Sequence, residues 1–402
     1  MTGVHKFVRR LLLVLGLVFV SDCNASILHP FPQAGSFAAF GLYPANLTPV
    51  QVNAAVSDYY FYWKSHYLAP SAKINGDYKV NFDGKGTTVS EAMGYGMLVT
   101  AYMAGADTNA KACFDGLNRF RKRYPSCINP GLMCWQIPTN EAVVRDDCAT
   151  DGDLDMALAL LLAHRQWGEA IYFQEATNLI QNIAVTLVRP DFSLRLGDWD
   201  TESSDSEKTR PSDFMPTHFH VFEKATGDAL WQKVEDRCYA VLDELQTNSA
   251  PATGLIPDFA VLSKGHWQPV KKKFLESKHD SDFSYNSCRV PWRIGWSAAT
   301  LDDARARRFL GRLMRWVTAR TKQPENFKPG YRLDGTMLGG NYDSACFISP
   351  TGVAAVGTGH QVWLDQTFAY GVNRKDGYFE DSVNLLCLLV MSGNAWLPDY
   401  SK

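Results

Sequence analysis

Three carboxylates at alternate positions, Asp151, Asp153 and Asp155, stand in the first turns of the segment CATDGDLDMALALLLAHRQWG (148–168). From Leu154 to Trp167 the apolar residues fall on every side of a helical wheel, the pattern of a helix buried almost all round. Ionised carboxylates are rarely buried without partners. The acids must therefore be paired, or they must line a cavity at the mouth of the helix. A second apolar segment, TTVSEAMGYGMLVTAYMAG (87–105), has Glu91 at its amino-terminal end, with Gly94 and Gly96 permitting close approach and Tyr95 adding an aromatic wall. Two acids at the same ends of two buried helices can meet across one mouth. Carboxyl groups in separate environments, one protonated and one ionised, are what glycoside hydrolysis requires. The plainer reading of each acid alone is a cap or a complement to the helix dipole.

The elements that must position these acids are helices of two kinds. Val89–Ala104, Met156–Ala163 and Val383–Met391 are apolar nearly all round, whereas segments near 51–67, 168–186, 228–246 and 302–320 keep a polar face. In the third of these, Leu230, Val234, Cys238, Val241, Leu242 and Leu245 recur at spacings of three and four. Thr48-Pro49 reads as a helix start, with threonine as cap and proline at the first helical position. Buried helices jacketed by amphipathic ones make an all-α, double-layered helical barrel, with Gly-, Pro- and Asn-rich loops joining the layers. No fixed repeat period is present, which argues against a solenoid.

Composition sets the limits. The chain has 402 residues, 46% hydrophobic and 20% charged, enough for a large core. Lys6, Arg9 and Arg10 precede the apolar run Leu11–Val20, and small residues follow at Cys23-Asn24-Ala25, so residues 1–25 read as a secretory signal peptide and 26–402 as one domain. Loss of Lys6, Arg9, Arg10 and Asp22 takes the formal charge from −2 to −4, which advertises neither nucleic acid nor a membrane surface as partner. The mature chain keeps eight cysteines; export permits disulfides, but a fold of this size does not need them and several can be free and buried. No CxxC pair is present, and His218 and His220 lack a third ligand at convincing spacing, so no metal site is expected.

ATDGDLDMALALLLAHRQW resembles the signature of glycoside hydrolase family 8, and VSEAMGYGM resembles its acid-bearing segment, usually written with SEG where this chain has Ser90-Glu91-Ala92. GLMCWQIP (131–138), RPSDFMPTHF (210–219), GLIPDF (254–259), YNSCRVPWRIGW (285–296) and YFEDSVNLLCLLVMSGN (378–394) extend the likeness over roughly residues 33–397. The resemblance implies an (α/α)6 barrel and an inverting endo-hydrolase of β-1,4-linked glycans that needs no cofactor. Glu91 would be the general acid, and Asp151 would contact the sugar beside the scissile bond and help to hold it distorted.

The chain departs from the family where many members carry the base as the aspartate of a YDA segment, because the matching residue is Asn286. A branch that includes chitosanases and lichenases also has asparagine there and draws its base from a preceding FLE segment. Here KKKFLESKHDSDFSYNSCR (271–289) makes Glu276 that base, with Asp280 and Asp282 as reserves. Lys271, Lys272 and Lys273 either help keep Glu276 ionised or form a solvated loop. The family match points to Trp135 and Trp199, the latter in LRLGDWD (194–200), as sugar-stacking platforms and to Tyr285 and Arg289 beside the catalytic centre; Trp292 and Trp296 read as core. The expectation is a secreted, monomeric endo-glycosidase acting on a neutral β-glucan, with chitosan as the alternative polymer. A glycan-binding protein that has lost turnover, argued from Asn286, is the alternative from another class.

Overall fold

The structure, a computed structural model, describes residues 26–33, 37, 41–143, 146–201 and 207–401; the leader reading of residues 1–25 falls outside these. Among the described residues, twelve α-helices alternate strictly between an outer and an inner layer. The outer helices are α1 (Pro49–Tyr67), α3 (Ala110–Arg123), α5 (Ala170–Leu187), α7 (Leu230–Asn248), α9 (Ala304–Thr321) and α11 (Gln361–Asn373). The inner ones are α2 (Ser90–Tyr102), α4 (Thr150–Trp167), α6 (Pro216–Thr226), α8 (Val290–Thr300), α10 (Ala345–Thr358) and α12 (Tyr378–Met391). Each inner helix packs against the next, and α12 closes the ring on α2. This is the double-layered helical barrel that the two kinds of apolar pattern predict, with the (α/α)6 architecture that the resemblance implies.

Local sequence explains the layers. Thr48 caps α1 through a reciprocal pair with Gln51, and Pro49 opens the helix as its spacing requires. On α7 the buried residues include Val234, Cys238, Val241, Leu242 and Leu245, the stripe seen in the sequence. The inner helices have almost no exposed face: of α2, every residue but Glu91 is buried. Trp292 and Trp296, on α8, are core as expected.

Glycine sets how closely the inner helices approach. A Cβ on Gly94 would stand 2.7 Å from the Asp155 Cβ, and one on Gly152 would stand 2.5 Å from the Ser90 carbonyl carbon. Real Cβ atoms do not come this close, so only glycine at both positions lets α2 and α4 pack with Glu91 and Asp151 side by side. Gly96 faces the other way, onto Val80 and Leu117 of α3.

Short strands trim the rim. Residues 208–209, 260–263 and 266–269 form a three-stranded antiparallel sheet, and the chain leaves its last strand for the loop that carries Glu276. Thr88-Val89 pairs with Gln136-Ile137, which sets Trp135 beside the start of α2. All eight cysteines of the described residues are free thiols, seven of them buried and Cys127 exposed. Among the described residues no helix is long and apolar enough to cross a membrane.

Candidate active site

The three acids of α4 divide by position on the helix, and only one faces a cavity. Asp151 and Asp155 are four residues apart, so they stand above one another on one face; Arg289 and Arg293, at the start of α8, have the same spacing. The result is a two-rung ladder between α4 and α8. In the deep rung Arg293 binds Asp155 through two hydrogen bonds of 2.8 and 2.6 Å, and His218 Nε2 lies 2.8 Å from Asp155 Oδ1. All three side chains are fully buried, so this rung is structural, and His218 is satisfied as a core histidine. In the upper rung Arg289 Nη1 donates to Asp151 Oδ2 at 2.8 Å and to Glu91 Oε2 at 2.6 Å. Asp153 points outward, accepting from the Met133 N–H at 3.1 Å, and burial pushes its carboxyl up to about 8.

The upper rung opens into a groove of about 590 Å³ lined by Glu91, Asp151, Arg210, Glu276, Asn286 and Arg289, with Trp135, Tyr285 and Tyr378 among the aromatic residues. Glu91 sits on it almost enclosed, its side chain 19% exposed. Burial raises the Glu91 carboxyl to about 7; Arg289 opposes the rise and the anion of Asp151 adds to it. The neighbouring Asp151 goes the other way. Burial alone would raise it, but Arg210 (2.9 Å) and Arg289 together outweigh burial and hold it at about 2. Two carboxyls on the same mouth are thereby pushed in opposite directions, Asp151 toward its anion and Glu91 toward its protonated form.

Glu276 reaches the groove from the loop after the rim sheet. Its Oε2 accepts from Asn286 Nδ2 at 2.8 Å, and Asn286 Oδ1 accepts in turn from Arg289 Nη2 at 2.9 Å. The side chain is 47% exposed, and Arg210 Nη1 lies 3.8 Å from Oε1. Asp280 does not line the groove: it accepts the backbone N–H groups of Leu275, Glu276 and Ser277 and pins the turn that carries Glu276. Asp282 is also turned away, toward His279. Lys271, Lys272 and Lys273 are exposed and none lines the groove, so the cation beside Glu276 is Arg210 and the solvated-loop reading of the lysines holds.

Of the aromatic candidates, Trp135 and Tyr285 line the groove, half-exposed. The indole N–H of Trp135 is tied to Asp146 at 2.9 Å, and the Tyr285 hydroxyl lies 2.9 Å from that of Tyr342. Trp199 is exposed as well, outside the lining of this groove; it stands over Gly197, whose added Cβ would meet its indole at 2.6 Å. Sequence reasoning passed over Arg210 and Tyr378 as individual residues, although both lie in quoted segments. Arg210 had one signal: acids at the mouth of a buried helix need cations, and it directly precedes Pro211 in RPSDFMPTHF. Tyr378 donates to Glu91 Oε1 at 3.4 Å, a contact that nothing local foretells.

The model of glycosyl hydrolases family 8 matches residues 38–393. A β-glucanase of Niallia circulans is 39% identical over 388 residues, covering 94% of this chain and 94% of its own. An endoglucanase of a Bacillus species is 37% identical, covering 94% of this chain and 84% of its own. The apo structure of a β-1,3-1,4-glucanase from Paenibacillus sp.X4 superposes with a TM-score of 0.89 at 39% identity, covering 92% of this chain and all of that one. With a closed ring of six inner helices, an acid-lined groove at its mouth and a family match along nearly its whole length, the chain belongs to glycosyl hydrolase family 8.

Proposed function

We propose that the chain is an exported endo-β-glucanase that inverts the anomeric centre, with Glu91 as general acid and Glu276 as general base. The observation that carries this reading is the contrast between two carboxylates on one groove. Glu91, enclosed and raised to about 7, keeps a proton to give. Glu276 is half-exposed and oriented by the amide of Asn286, with an open side from which to draw water. As that water attacks the anomeric carbon, Glu276 takes its proton. The glycosidic bond breaks on the opposite face, and Glu91 protonates the leaving oxygen. Solvent then returns both carboxyls to their starting states. Asp151, held anionic between two guanidiniums, binds the sugar at the point of cleavage and complements the positive charge that develops there.

The names of the relatives support a β-1,4-linked glucan, cellulose-type or mixed-linkage, as substrate. Trp135 and Tyr285 offer apolar faces to its rings, and Asn286 and Arg289 hold the centre together. Chitosan remains the comparison polymer. The intact pair of carboxylates speaks against a binder without turnover. Residues 1–25 serve as a leader, and residues 26–402 act as one domain and as a monomer.

NMR of a fresh digest of mixed-linkage glucan tests the reading. The α-anomer appears first if the enzyme inverts, and a β-anomer first would overturn the mechanism. Assayed side by side on carboxymethylcellulose, mixed-linkage glucan and chitosan, release of reducing sugar from chitosan alone would overturn the substrate.

A further inference from the structure

One carboxylate on the groove has no role in the reading above. Glu380, the third residue of α12, lines the same groove as Glu91 and is half-buried. The other groove acids are held by cations or amides: Glu91 by Arg289, Asp151 by Arg210 and Arg289, Glu276 by Asn286. Among the described residues no side chain hydrogen-bonds to Glu380 and no cation pairs with it. Its neighbour in sequence, Asp381, is fully engaged by the hydroxyls of Tyr59, Tyr62 and Tyr67, which tie α1 to α12. A structural role is therefore taken by Asp381, and Glu380 is left on the groove without a side-chain partner, its carboxylate meeting its own backbone N–H.

The surroundings of Glu380 suit a sugar. Tyr285 offers a half-exposed ring, braced by the hydroxyl contact with Tyr342 and by Phe379, whose ring centre is 6.3 Å away. Tyr285 and Glu380 line the same groove, and the charge of Glu380 is among the causes that raise the Tyr285 phenol, after burial and the bond to Tyr342. An aromatic face and a carboxylate without a side-chain partner on one groove offer stacking for a pyranose ring and an acceptor for its hydroxyls. A few fixed polar groups on an otherwise apolar wall are what orient a ligand.

Resting on the proposed glucanase reading, we infer that Glu380 is a specificity-determining residue that accepts hydrogen bonds from the hydroxyls of a neutral glucosyl unit stacked on Tyr285. A site built to bind a hydroxyl discriminates strongly against a unit that lacks one, because the acceptor is then left buried and unpaired. Burial, reinforced by the charges of Asp376 and Asp381 and opposed by its own backbone N–H, raises the Glu380 carboxyl.

Calorimetry on the full chain tests the assignment, with a mixed-linkage glucan oligosaccharide and a chitosan oligosaccharide of equal length as probes and a thermal melt to check folding. In the Glu91→Gln background, which suppresses turnover, Glu380→Ala should weaken glucan binding about tenfold. Glu380→Gln, which keeps an acceptor oxygen, should weaken it about threefold. Unchanged glucan binding in Glu380→Ala would overturn the inference and leave the glucanase reading standing. Tighter binding of the chitosan probe, lost in Glu380→Gln, would overturn it in favour of an ammonium site. Failure of the parent Glu91→Gln chain to bind either probe would overturn both.

Discussion

Asn286 joins the two sides of the groove: its amide nitrogen donates to Glu276 at 2.8 Å while its carbonyl oxygen accepts from Arg289 at 2.9 Å, and Arg289 in turn holds Glu91. An asparagine at this position cannot take a proton from water, yet it can orient the group that does. Asn286→Asp would set a second negative charge against Glu276 and remove its donor. The variant should lose at least tenfold in kcat/KM on β-glucan. Equal or higher activity would show that the introduced carboxylate had taken over as base.

The pH profile should carry the mark of Glu91. The acid works only while protonated, so kcat/KM should fall as pH rises through about 7, the value to which burial, with help from Asp151, raises Glu91. Asp151→Asn removes a neighbouring anion and leaves Arg210 and Arg289 freer to favour ionised Glu91. Besides lowering activity, it should move the alkaline limb to lower pH. A shift in the opposite direction would contradict the electrostatic account.

Base and loop support are separable. Glu276→Ala should cost about 10²–10⁴ in kcat, and added azide, a small anionic nucleophile that needs no base, should restore part of the turnover as a glycosyl azide. Asp280→Ala, which frees the amides of residues 275–277, should slow turnover through disorder of the turn and gain nothing from azide. Azide rescue of Asp280→Ala alone would exchange the two roles.

The deep rung should be felt in stability. Arg293→Met strips Asp155 of its bidentate partner inside the barrel, and breaking a buried ion pair costs about 3–5 kcal/mol. The melting temperature should drop sharply, while Arg293→Lys, which keeps a charge but not the planar fork, should recover only part of the loss. A melt identical to that of the parent would mean that the rung carries no weight.

Acidity should weaken the fold by the same route. Burial lowers the pKa of His218 despite its bond to Asp155, and Arg293 and His218 hold Asp155 below its ordinary range against the effect of burial. Both groups bind more protons unfolded than folded within their shift windows, so stability rises with pH there. The His218 contribution is present above about 6.5 and is lost as pH falls below that value. The Asp155 contribution goes at still lower pH, beneath about 3.9. Urea midpoints taken between pH 8 and 3 should fall in that order.

The order of residues alone dictates the layers of this protein. Helices apolar all round can only be inner and helices with one wet face can only be outer, because burial of apolar surface and hydration of charge leave no other arrangement. The acid-bearing starts of α2 and α4 and the glycines between them were legible for the same local reason. Ring closure assigned the charges. Asp151 and Asp153 differ by two positions, a rotation of roughly 200° about the helix axis. Which of them meets a cavity depends on where the ring closes, and Asp151 rather than Asp153 gained Arg289, 138 residues away. Likewise Glu276, Asp280 and Asp282 look alike in one loop until its turn folds around Asp280 and aims Glu276 at Asn286. Arg210, not the nearby lysines, became the cation beside Glu276 because an ion pair is made in space, across elements that only the closed barrel brings together.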